Sequence, residues 1–267
     1  MEPFKITYER TNQVPIIISV PHCGTDFPDD IRGEYRENLI DRPDDTDWYV
    51  DQLYDFAPDM GMRMISATLS RWVIDLNRYP ESKPLYTDGR LITGLCPVTS
   101  FKGEHLYIDE RESVHPDEVQ RRVEAFYNPY HTALQTLLDE CLKKFGKVLL
   151  WDCHSIRRRV PSIHPEPFPD LILGDNNGSS AGEFLTEIVS KNLVKSGYSF
   201  ENNFLFKGGY ITRKYGVPAE HRHALQLEMV KANYMDDTET AYDKVRAEKI
   251  REHLKHGFEK LITVISL

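Results

Sequence analysis

The stretch VPIIISV, residues 14–20, is almost entirely apolar, is rich in β-branched residues, and continues directly into PHCG at residues 21–24. A short run without polar alternation is typical of a strand that is buried on both faces, and the glycine indicates a loop at its end. Strands covered on both faces belong mainly to parallel sheets with helices on each side. The stretch therefore predicts an α/β protein and places His22 just beyond the end of a strand.

The rest of the chain alternates between strand-like and helix-like segments. The other predicted strands are residues 62–67, 72–76, 148–153, 171–173 and 225–230, and the predicted helices are residues 47–56, 116–145, 181–194 and 242–262. Buried strands between long helices indicate a three-layer α/β sandwich, in which a mixed, mostly parallel sheet is flanked by helices. No segment reads as a linker, so we predict a single domain over residues 1–267.

The composition is that of a globular protein, since 40% of the residues are hydrophobic and 28% are charged. The net charge of -9 argues against a nucleic-acid partner, because such binding depends on Lys and Arg that neutralise phosphates. No segment approaches the roughly 20 apolar residues of a membrane span. The N-terminus lacks a signal-peptide pattern, and the four cysteines form no CxxC pair. These features predict a cytoplasmic protein without a membrane anchor.

The segment from Tyr79 to His105 interrupts the alternation of strands and helices. It contains three prolines and three glycines and has no hydrophobic periodicity. A connector of this length without secondary structure is uncommon in a compact domain and is usually functional. We interpret it as a candidate lid over the site.

Two histidines occupy equivalent places in the predicted sheet. His22 follows the strand at residues 14–20, and His154 ends VLLWDCH at residues 148–154. The carboxyl ends of parallel strands lie on one side of a sheet, where ligand sites gather. Two neutral imidazoles, one carboxylate and an open water position form a hydrolytic zinc site. The pair therefore predicts one zinc ion per chain, and the alternative is two unrelated buried histidines.

A zinc site of this kind also needs a carboxylate, and the candidates in DDTDWYVDQLY at residues 44–54 are Asp45, Asp47 and Asp51. Asp47 and Asp51 are four residues apart, so on one helix they share a face and both can approach a metal. Asp45 is more typical of a helix N-cap, which is a structural role.

Several cationic side chains are candidates for binding an anionic substrate. Asn77 and Arg78 are adjacent, and an arginine beside an amide can bind a carboxylate through two guanidinium hydrogen bonds and one directional amide bond. Arg71, Arg157 and Arg213 are further candidates. For any single arginine the alternative is a surface salt bridge.

Glu228 lies within HALQLEMV at residues 223–230, an otherwise apolar predicted strand. A lone carboxylate in such a strand is costly unless it is paired or functional. We predict that Glu228 is the general base, which accepts a proton from water and later delivers it to the leaving nitrogen. The alternative is a carboxylate neutralised by a buried arginine.

Cysteine chemistry is a rival interpretation, because Cys23 adjoins His22 and Cys153 adjoins His154. Successive side chains of a strand point to opposite faces, so Cys153 and His154 should not form a hydrogen-bonded pair. The sequence also contains no GxSxG elbow, HExxH helix, phosphate-binding loop or dinucleotide fingerprint.

Eight segments, taken in order, resemble the N-formylglutamate amidohydrolase (N-formylglutamate deformylase) family over nearly the whole chain. They are SVPHCGTDFP (19–28), DDTDWYVDQLYDFA (44–57), SRWVIDLNR (70–78), TGLCPVTSF (93–101), DCHSIRRRVP (152–161), PDLILGDNNG (169–178), FKGGYITRKYG (206–216) and HALQLEM (223–229). The set in this order is far more specific than any one segment.

The resemblance implies a fold related to the zinc carboxypeptidases, in the phosphorylase/hydrolase-like class. It implies zinc on His22 and His154, substrate contacts from Asn77 and Arg78, and a catalytic role for Glu228. The implied reaction converts N-formyl-L-glutamate, a small anionic N-acyl amino acid, to formate and L-glutamate at the end of histidine degradation.

The chain departs from the zinc carboxypeptidases at the acidic ligand. Those enzymes place it three residues after the first histidine, where this chain has Thr25. The acid must therefore come from elsewhere, and Asp47 and Asp51 in the following segment are the preferred candidates, with Asp26 as a further alternative.

Other functions stay open at this point. The same metal site would suit a metallo-amidohydrolase or carboxypeptidase-like enzyme for another N-acyl amino acid or a short peptide, with residues 79–105 limiting substrate size. The same scaffold would also suit a non-catalytic protein that binds acidic amino acids. A cysteine hydrolase is the third alternative.

Overall fold

The computed structural model describes residues 2–81 and 93–266. Within these residues one sheet contains the strands β1 (Phe4–Thr7), β2 (Ile16–Val20), β3 (Arg63–Ala67), β4 (Val148–Ile156), β5 (Leu171–Gly174), β6 (Phe200–Asn202) and β7 (Arg222–Val230). Their order across the sheet is β1-β3-β2-β4-β7-β5-β6. The central strands β3, β2, β4 and β7 are mutually parallel, whereas β1 and β5 run antiparallel to their neighbours β3 and β7. The predicted mixed, mostly parallel sheet is confirmed.

Helices cover both faces of this sheet. Those of the described residues are α1 (Asp29–Arg32), α2 (Glu37–Ile40), α3 (Val50–Leu53), α4 (Pro116–Arg122), α5 (Asn128–Phe145), α6 (Glu183–Val194), α7 (Tyr210–Tyr215) and α8 (Lys244–Ile265). Short 3-10 turns lie at Ala57–Met60, Pro218–Glu220 and Lys231–Asn233. None of the helices in residues 2–81 and 93–266 has the length and apolar character that crossing a membrane requires.

Alternate residues of the central strands enter two separate cores. Leu150 and Ala224 pack on the face covered by α5 and α7, which we call the front face. Trp151 is one residue after Leu150, and Leu227 is three residues after Ala224. Both pack on the face covered by α3, α6 and α8, which we call the back face. This alternation is the period of a strand, and it produces the predicted three layers of helix, sheet and helix.

The three long predicted helices are confirmed, with shifted ends. α6 begins at Glu183, and α8 begins after Asp243, whose carboxylate accepts hydrogen bonds from the backbone N–H groups of residues 245 and 246. The predicted helix at 116–145 widens into a π-helical turn at Val123–Tyr127, just before Pro129. Proline lacks an N–H and its ring crowds the preceding turn, which accounts for this local change of pitch.

Two predicted segments are wrong. Residues 72–76 form turns instead of a strand, because the apolar run is a buried loop whose Trp72 indole N–H donates to Asp45 at 2.8 Å. Residues 47–56 contain only the single turn of α3. Tyr49 has a φ of 63°, a left-handed conformation that separates Asp47 from this helix.

Candidate metal centre

The candidate site lies at the carboxyl ends of the parallel strands. His22 follows β2, and His154 lies in the last part of β4. Glu228 is directly opposite His154 in the register of β4 and β7. His154 is four residues after Leu150, and Glu228 is four residues after Ala224. Because side chains alternate between faces along a strand, His154 and Glu228 lie on the front face, as Leu150 and Ala224 do.

The structure brings together one ligand atom from each of His22, Asp47 and His154, within 4.8 Å of one another. The Asp47 carboxylate lies 3.1 Å from Nδ1 of His154 and 3.6 Å from Nδ1 of His22. All three side chains are buried. Both imidazoles therefore turn the same ring nitrogen towards one carboxylate oxygen.

The other ring nitrogen of each histidine is held by a second aspartate. Nε2 of His22 lies 2.7 Å from Asp75, and Nε2 of His154 lies 3.0 Å from Asp152. Histidines that bind metals commonly donate their second N–H to a carboxylate, which fixes the tautomer and the ring orientation. This arrangement leaves Nδ1 of each ring as the nitrogen that is available to a metal.

Each of these supporting carboxylates is itself anchored. Asp75 accepts a 2.6 Å bond from the guanidinium of Arg71 and a 2.9 Å bond from the backbone N–H of Asn77. Asp152 accepts a 2.9 Å bond from the hydroxyl of Ser19, which in turn contacts the hydroxyl of Tyr130 at 3.1 Å. The histidine orientations are therefore set by packed networks rather than by mobile side chains.

The donor set fits a divalent cation such as zinc. Nδ1 of His22 is buried and has no hydrogen-bond partner among the described residues, which leaves a costly orphaned atom unless a ligand fills the space. Burial raises the pKa of Asp47, but the interactions with His154 and His22 outweigh burial and hold that pKa well below its usual range. Burial lowers the pKa of His154, yet Asp152 and Asp47 outweigh it and raise the pKa. The surroundings therefore favour positive charge at this position, and a metal can replace the proton.

Glu228 is buried beside this group. Burial raises the pKa of Glu228 to about 8, and the positive charge of His154 opposes that rise. Its hydrogen-bond partner in the described residues is the side-chain amide of Gln226, at 3.4 Å. No described arginine or lysine lies within ion-pair distance of Glu228, unlike the carboxylate neutralised by arginine that was the alternative interpretation.

The loop after β3 reaches the site because glycines allow close backbone packing. A Cβ on Gly24, next to the His22 segment, would lie 2.3 Å from the carbonyl oxygen of Leu69. A Cβ on Gly209 would lie 2.2 Å from the amide of Asn77. These two contacts hold the loop that carries Asp75 against β2 and α7.

Three of the acidic candidates lie outside the group formed by His22, Asp47 and His154. Asp51 is exposed, and the helical face that it was expected to share with Asp47 does not exist, because Tyr49 interrupts the segment. The prediction that Asp45 is a helix N-cap is wrong, because Tyr49 is the N-cap of α3. Asp45 instead accepts hydrogen bonds from the Trp72 indole and the backbone N–H of Phe101. Asp26 is exposed.

Asn77 and the arginines are placed around the site in different ways. Asn77 contacts Nε2 of His154 at 3.0 Å and accepts a 2.8 Å bond from the backbone N–H of residue 211, so its amide is committed to protein partners. Arg71 and Arg78 lie 2.6 Å and 3.8 Å from the Asp75 carboxylate. Arg157 pairs with two acidic side chains, and Arg213 donates to the carbonyl of residue 208 at 2.9 Å.

The two cysteines next to the histidines are poor nucleophiles. Cys153 lies on the back face, opposite His154, as predicted. Burial raises the pKa of both the Cys23 and the Cys153 thiol well above the usual range, which disfavours the reactive thiolate.

Sequence reasoning missed four polar residues of this region. Asp152 lies in a buried strand and carried the same signal as Glu228, a lone acid among apolar residues. Asp75 lies in the segment that was mistaken for a strand. Gln226 orients the backbone of Gly209 through a 2.8 Å bond, and Lys231 is 2% exposed at the end of β7.

The fold and the site together define a class, the three-layer α/β proteins that carry a histidine and aspartate group at the carboxyl ends of parallel strands. Within this class, the chain belongs to the N-formylglutamate amidohydrolase family, whose model matches residues 14–235. It is therefore a hydrolase that acts on an amide bond.

Relatives of known name cover most of the chain. An N-formylglutamate deformylase from Pseudomonas putida is 42% identical over 238 residues, which cover 88% of this chain and 87% of the relative. Another from Pseudomonas aeruginosa is 38% identical over 257 residues, which cover 95% and 94%. The crystal structure of N-formylglutamate amidohydrolase from Ralstonia eutropha JMP134 has a TM-score of 0.83 at 26% identity and covers 99% of both chains. A structure from Agrobacterium tumefaciens, with a TM-score of 0.74 at 15% identity and coverage of 98% and 96%, supports the fold alone.

Proposed function

We propose that this protein hydrolyses N-formyl-L-glutamate to formate and L-glutamate, with one zinc ion per chain held by His22, Asp47 and His154. The observation that carries the proposal is the buried His22, Asp47 and His154 group beside Glu228. The relatives named N-formylglutamate deformylase support the choice of substrate. The proposal includes a place at the end of histidine degradation, which the family resemblance implies.

Two imidazole nitrogens and one carboxylate oxygen suit zinc, and they leave a coordination position for water or substrate. When bound, the ion supplies Lewis-acid polarisation of the amide carbonyl and makes water more acidic. The protein contributes the orientation of the two imidazoles through Asp75 and Asp152, at 2.7 Å and 3.0 Å. It also excludes bulk water, because all of these side chains are buried.

Glu228 moves the proton in this proposal. Its carboxylate accepts a proton from the attacking water while the new C–O bond forms at the formyl carbon. The same group then delivers the proton to the nitrogen as the C–N bond breaks, so formate and the free amine are released. Its position opposite His154 in the register of β4 and β7 places it beside the candidate metal.

The substrate carries two carboxylates, which require cationic partners in an acidic protein. Arg71 is buried, and its side chain lies over the ring of Phe101 at 4.9 Å. Arg71 and Arg78 lie next to Asp75 and therefore close to His22. We assign the α-carboxylate to this arginine pair, with Asn77 holding the neighbouring backbone of α7 in place.

The cytoplasmic location predicted from the sequence is part of this proposal. All four cysteines are free thiols, as expected of a reducing compartment.

The test is metal content and formate release from N-formyl-L-glutamate on one purified sample, before and after chelation and after zinc is returned. We expect zinc near one per chain, loss of release on chelation, and recovery with zinc. Release that survives chelation would contradict the metal assignment. Bound zinc without release would contradict the substrate and direct the same assay to other N-acyl amino acids.

A further inference from the structure

A cavity of about 280 Å³ is lined by residues that neighbour candidate metal ligands along the chain. Its lining includes Ser155 and Ile156, which directly follow His154 in β4, and Asp44 and Asp45, which directly precede the segment of Asp47. Parts of the lining are therefore neighbours, along the chain, of two of the three proposed metal ligands. Its volume is near the lower end of small-molecule sites, which suits an amino-acid side chain.

The walls of this cavity are largely apolar. Phe101, Ile156, Val160 and Pro161 line it. Such walls favour methylene groups, because burying apolar surface removes it from water. A ligand that enters the cavity is thus expected to carry a short hydrocarbon segment.

Lys231 is one of the charged residues of the lining, with Asp44, Asp45, Lys102, Arg157 and Arg159. The Lys231 side chain is 2% exposed, and its ammonium group donates to the backbone carbonyl of Asp44 at 3.1 Å. Among the described residues, no carboxylate lies within the 4.0 Å of an ion pair with Lys231. An ammonium has three donors, and a buried one without an anionic partner is costly.

The other cations of the lining, Lys102, Arg157 and Arg159, are less buried than Lys231, and the first two have carboxylate partners. Lys102 lies 2.9 Å from the carboxylate of Asp44. Arg157 pairs with the same carboxylate and, at 3.3 Å, with Glu239. Among the cations of this lining, Lys231 is therefore the buried one, and it has no carboxylate partner among the described residues.

We propose that this cavity is the specificity pocket of the enzyme, and that the Lys231 ammonium binds the side-chain carboxylate of the glutamyl group. The two methylenes of the side chain pack against Phe101, Ile156 and Val160, and the carboxylate provides the missing anionic partner. The inference rests on the proposed function, because it assigns part of the same substrate. It also separates the two carboxylates, with the α-carboxylate at the arginine pair and the side-chain carboxylate at Lys231.

The test compares N-formyl-L-glutamate with N-formyl-L-glutamine, which has the same length but a neutral end. In Lys231→Met, an unbranched neutral replacement, kcat/KM for N-formyl-L-glutamate should fall about 100-fold, because a buried charge pair is lost. The value for N-formyl-L-glutamine should change little. Lys191→Met is the matched control, since Lys191 lies on α6 with 71% of its side chain exposed, and neither substrate should be affected.

A steric variant keeps the inference testable if Lys231→Met does not fold. Ser162 is exposed at the rim of the cavity, so Ser162→Trp should narrow the cavity without touching the ammonium. It should lower the ratio of kcat/KM for N-formyl-L-glutamate to that for N-formyl-L-alanine, which lacks the longer side chain. An unchanged ratio would overturn the placement of the side chain.

Equal losses for both substrates in Lys231→Met, or no loss for either, would overturn the assignment of Lys231. If the wild-type enzyme releases formate from neither compound, it is the proposed function that fails. Calorimetric titration of the zinc-loaded enzyme with L-glutamate and L-glutamine then still tests whether Lys231 binds the side-chain carboxylate. Only the binding of L-glutamate should weaken in Lys231→Met.

Discussion

The front and back faces of the sheet take alternate residues from the same strands, yet they differ in chemistry at the carboxyl ends. In β4, Asp152 and His154 lie on the front face, whereas Trp151 and Cys153 lie on the back. In β7, Gln226 and Glu228 face the front, and Leu227 and Met229 face the back. One strand pair therefore contributes both to the polar face of the candidate site and to an apolar core, and the period of two keeps these two sets of side chains apart.

The comparison also shows how each face is stabilised. The back face packs Trp151 against the edge of the Phe258 ring, at 5.1 Å, and is almost wholly apolar. The front face buries three aspartates and two histidines that must satisfy one another. Changes on the front face should therefore alter activity and metal binding, and changes on the back face should alter stability.

The largest effect is expected for Glu228→Gln on the front face. The amide keeps the shape but cannot accept the proton, so kcat for formate release should fall about 1,000-fold or more. Zinc content and the melting transition should be retained. Glu252→Gln, an exposed position on α8, is the control. Turnover near the wild-type value in Glu228→Gln would refute the base assignment.

The back-face counterpart is Trp151→Ala. Loss of a buried indole, which is 3% exposed and donates to Tyr54 at 3.2 Å, should lower the free energy of unfolding by about 3 kcal/mol. Denaturant titration measures this change, and Trp151→Phe should lose less. The kcat of the folded fraction should stay near wild type. A large fall in kcat without loss of stability would contradict the expectation that back-face changes alter stability and not activity.

Asp152→Asn probes the support behind His154. Replacement of the carboxylate that holds Nε2 at 3.0 Å should weaken zinc binding about 10-fold to 100-fold. Competition with a chelator of known affinity measures this. At saturating zinc, much of kcat should return, whereas the Glu228→Gln defect should persist. Unaltered zinc affinity would show that Asp152 does not act through His154.

Acid should destabilise the protein partly through a front-face histidine. His131 is buried, with its ring nitrogens on Tyr215 and the carbonyl of Leu76, and burial lowers its pKa from 6.5 to about 3. The unfolded chain therefore binds a proton below about pH 6.5 that the native state excludes. Stability from this group is complete above pH 6.5 and falls by about 1.4 kcal/mol per pH unit below it, down to the folded pKa. Unfolding of His131→Asn at several pH values should show a shallower slope, and an equal slope would refute this origin.

The smallest effect is expected for Cys153→Ala on the back face. Its thiol is buried away from His154, so kcat should change less than about two-fold and stability by about 1 kcal/mol or less. Loss of formate release in this variant, or in Cys23→Ala, would revive the cysteine hydrolase that the sequence left open.

Much of the site was predictable because strand ends carry readable signals. His22, His154 and Glu228 each interrupt or end an apolar run, and the structure brings all three to one side of the sheet. Asp152 carries the same signal, a lone acid in an apolar strand. The strand predicted at residues 72–76 was wrong because a buried loop and a buried strand have equally apolar sequences.

The sequence by itself determined the α/β class, the long helices, and the two histidines and the glutamate at the strand ends, because these follow from local periodicity and from the cost of burying polar groups. Only the tertiary structure brought Asp47 rather than the other acids to the two histidines, joined Asp75 to His22, and placed Lys231 in a cavity lined by chain neighbours of Asp47 and His154. These choices depend on how loops far apart in sequence pack, such as the contact of Gly24 with Leu69 and the left-handed Tyr49. A carboxylate in a loop has no period that reveals its direction, so three-dimensional packing alone selects the one that faces the histidines.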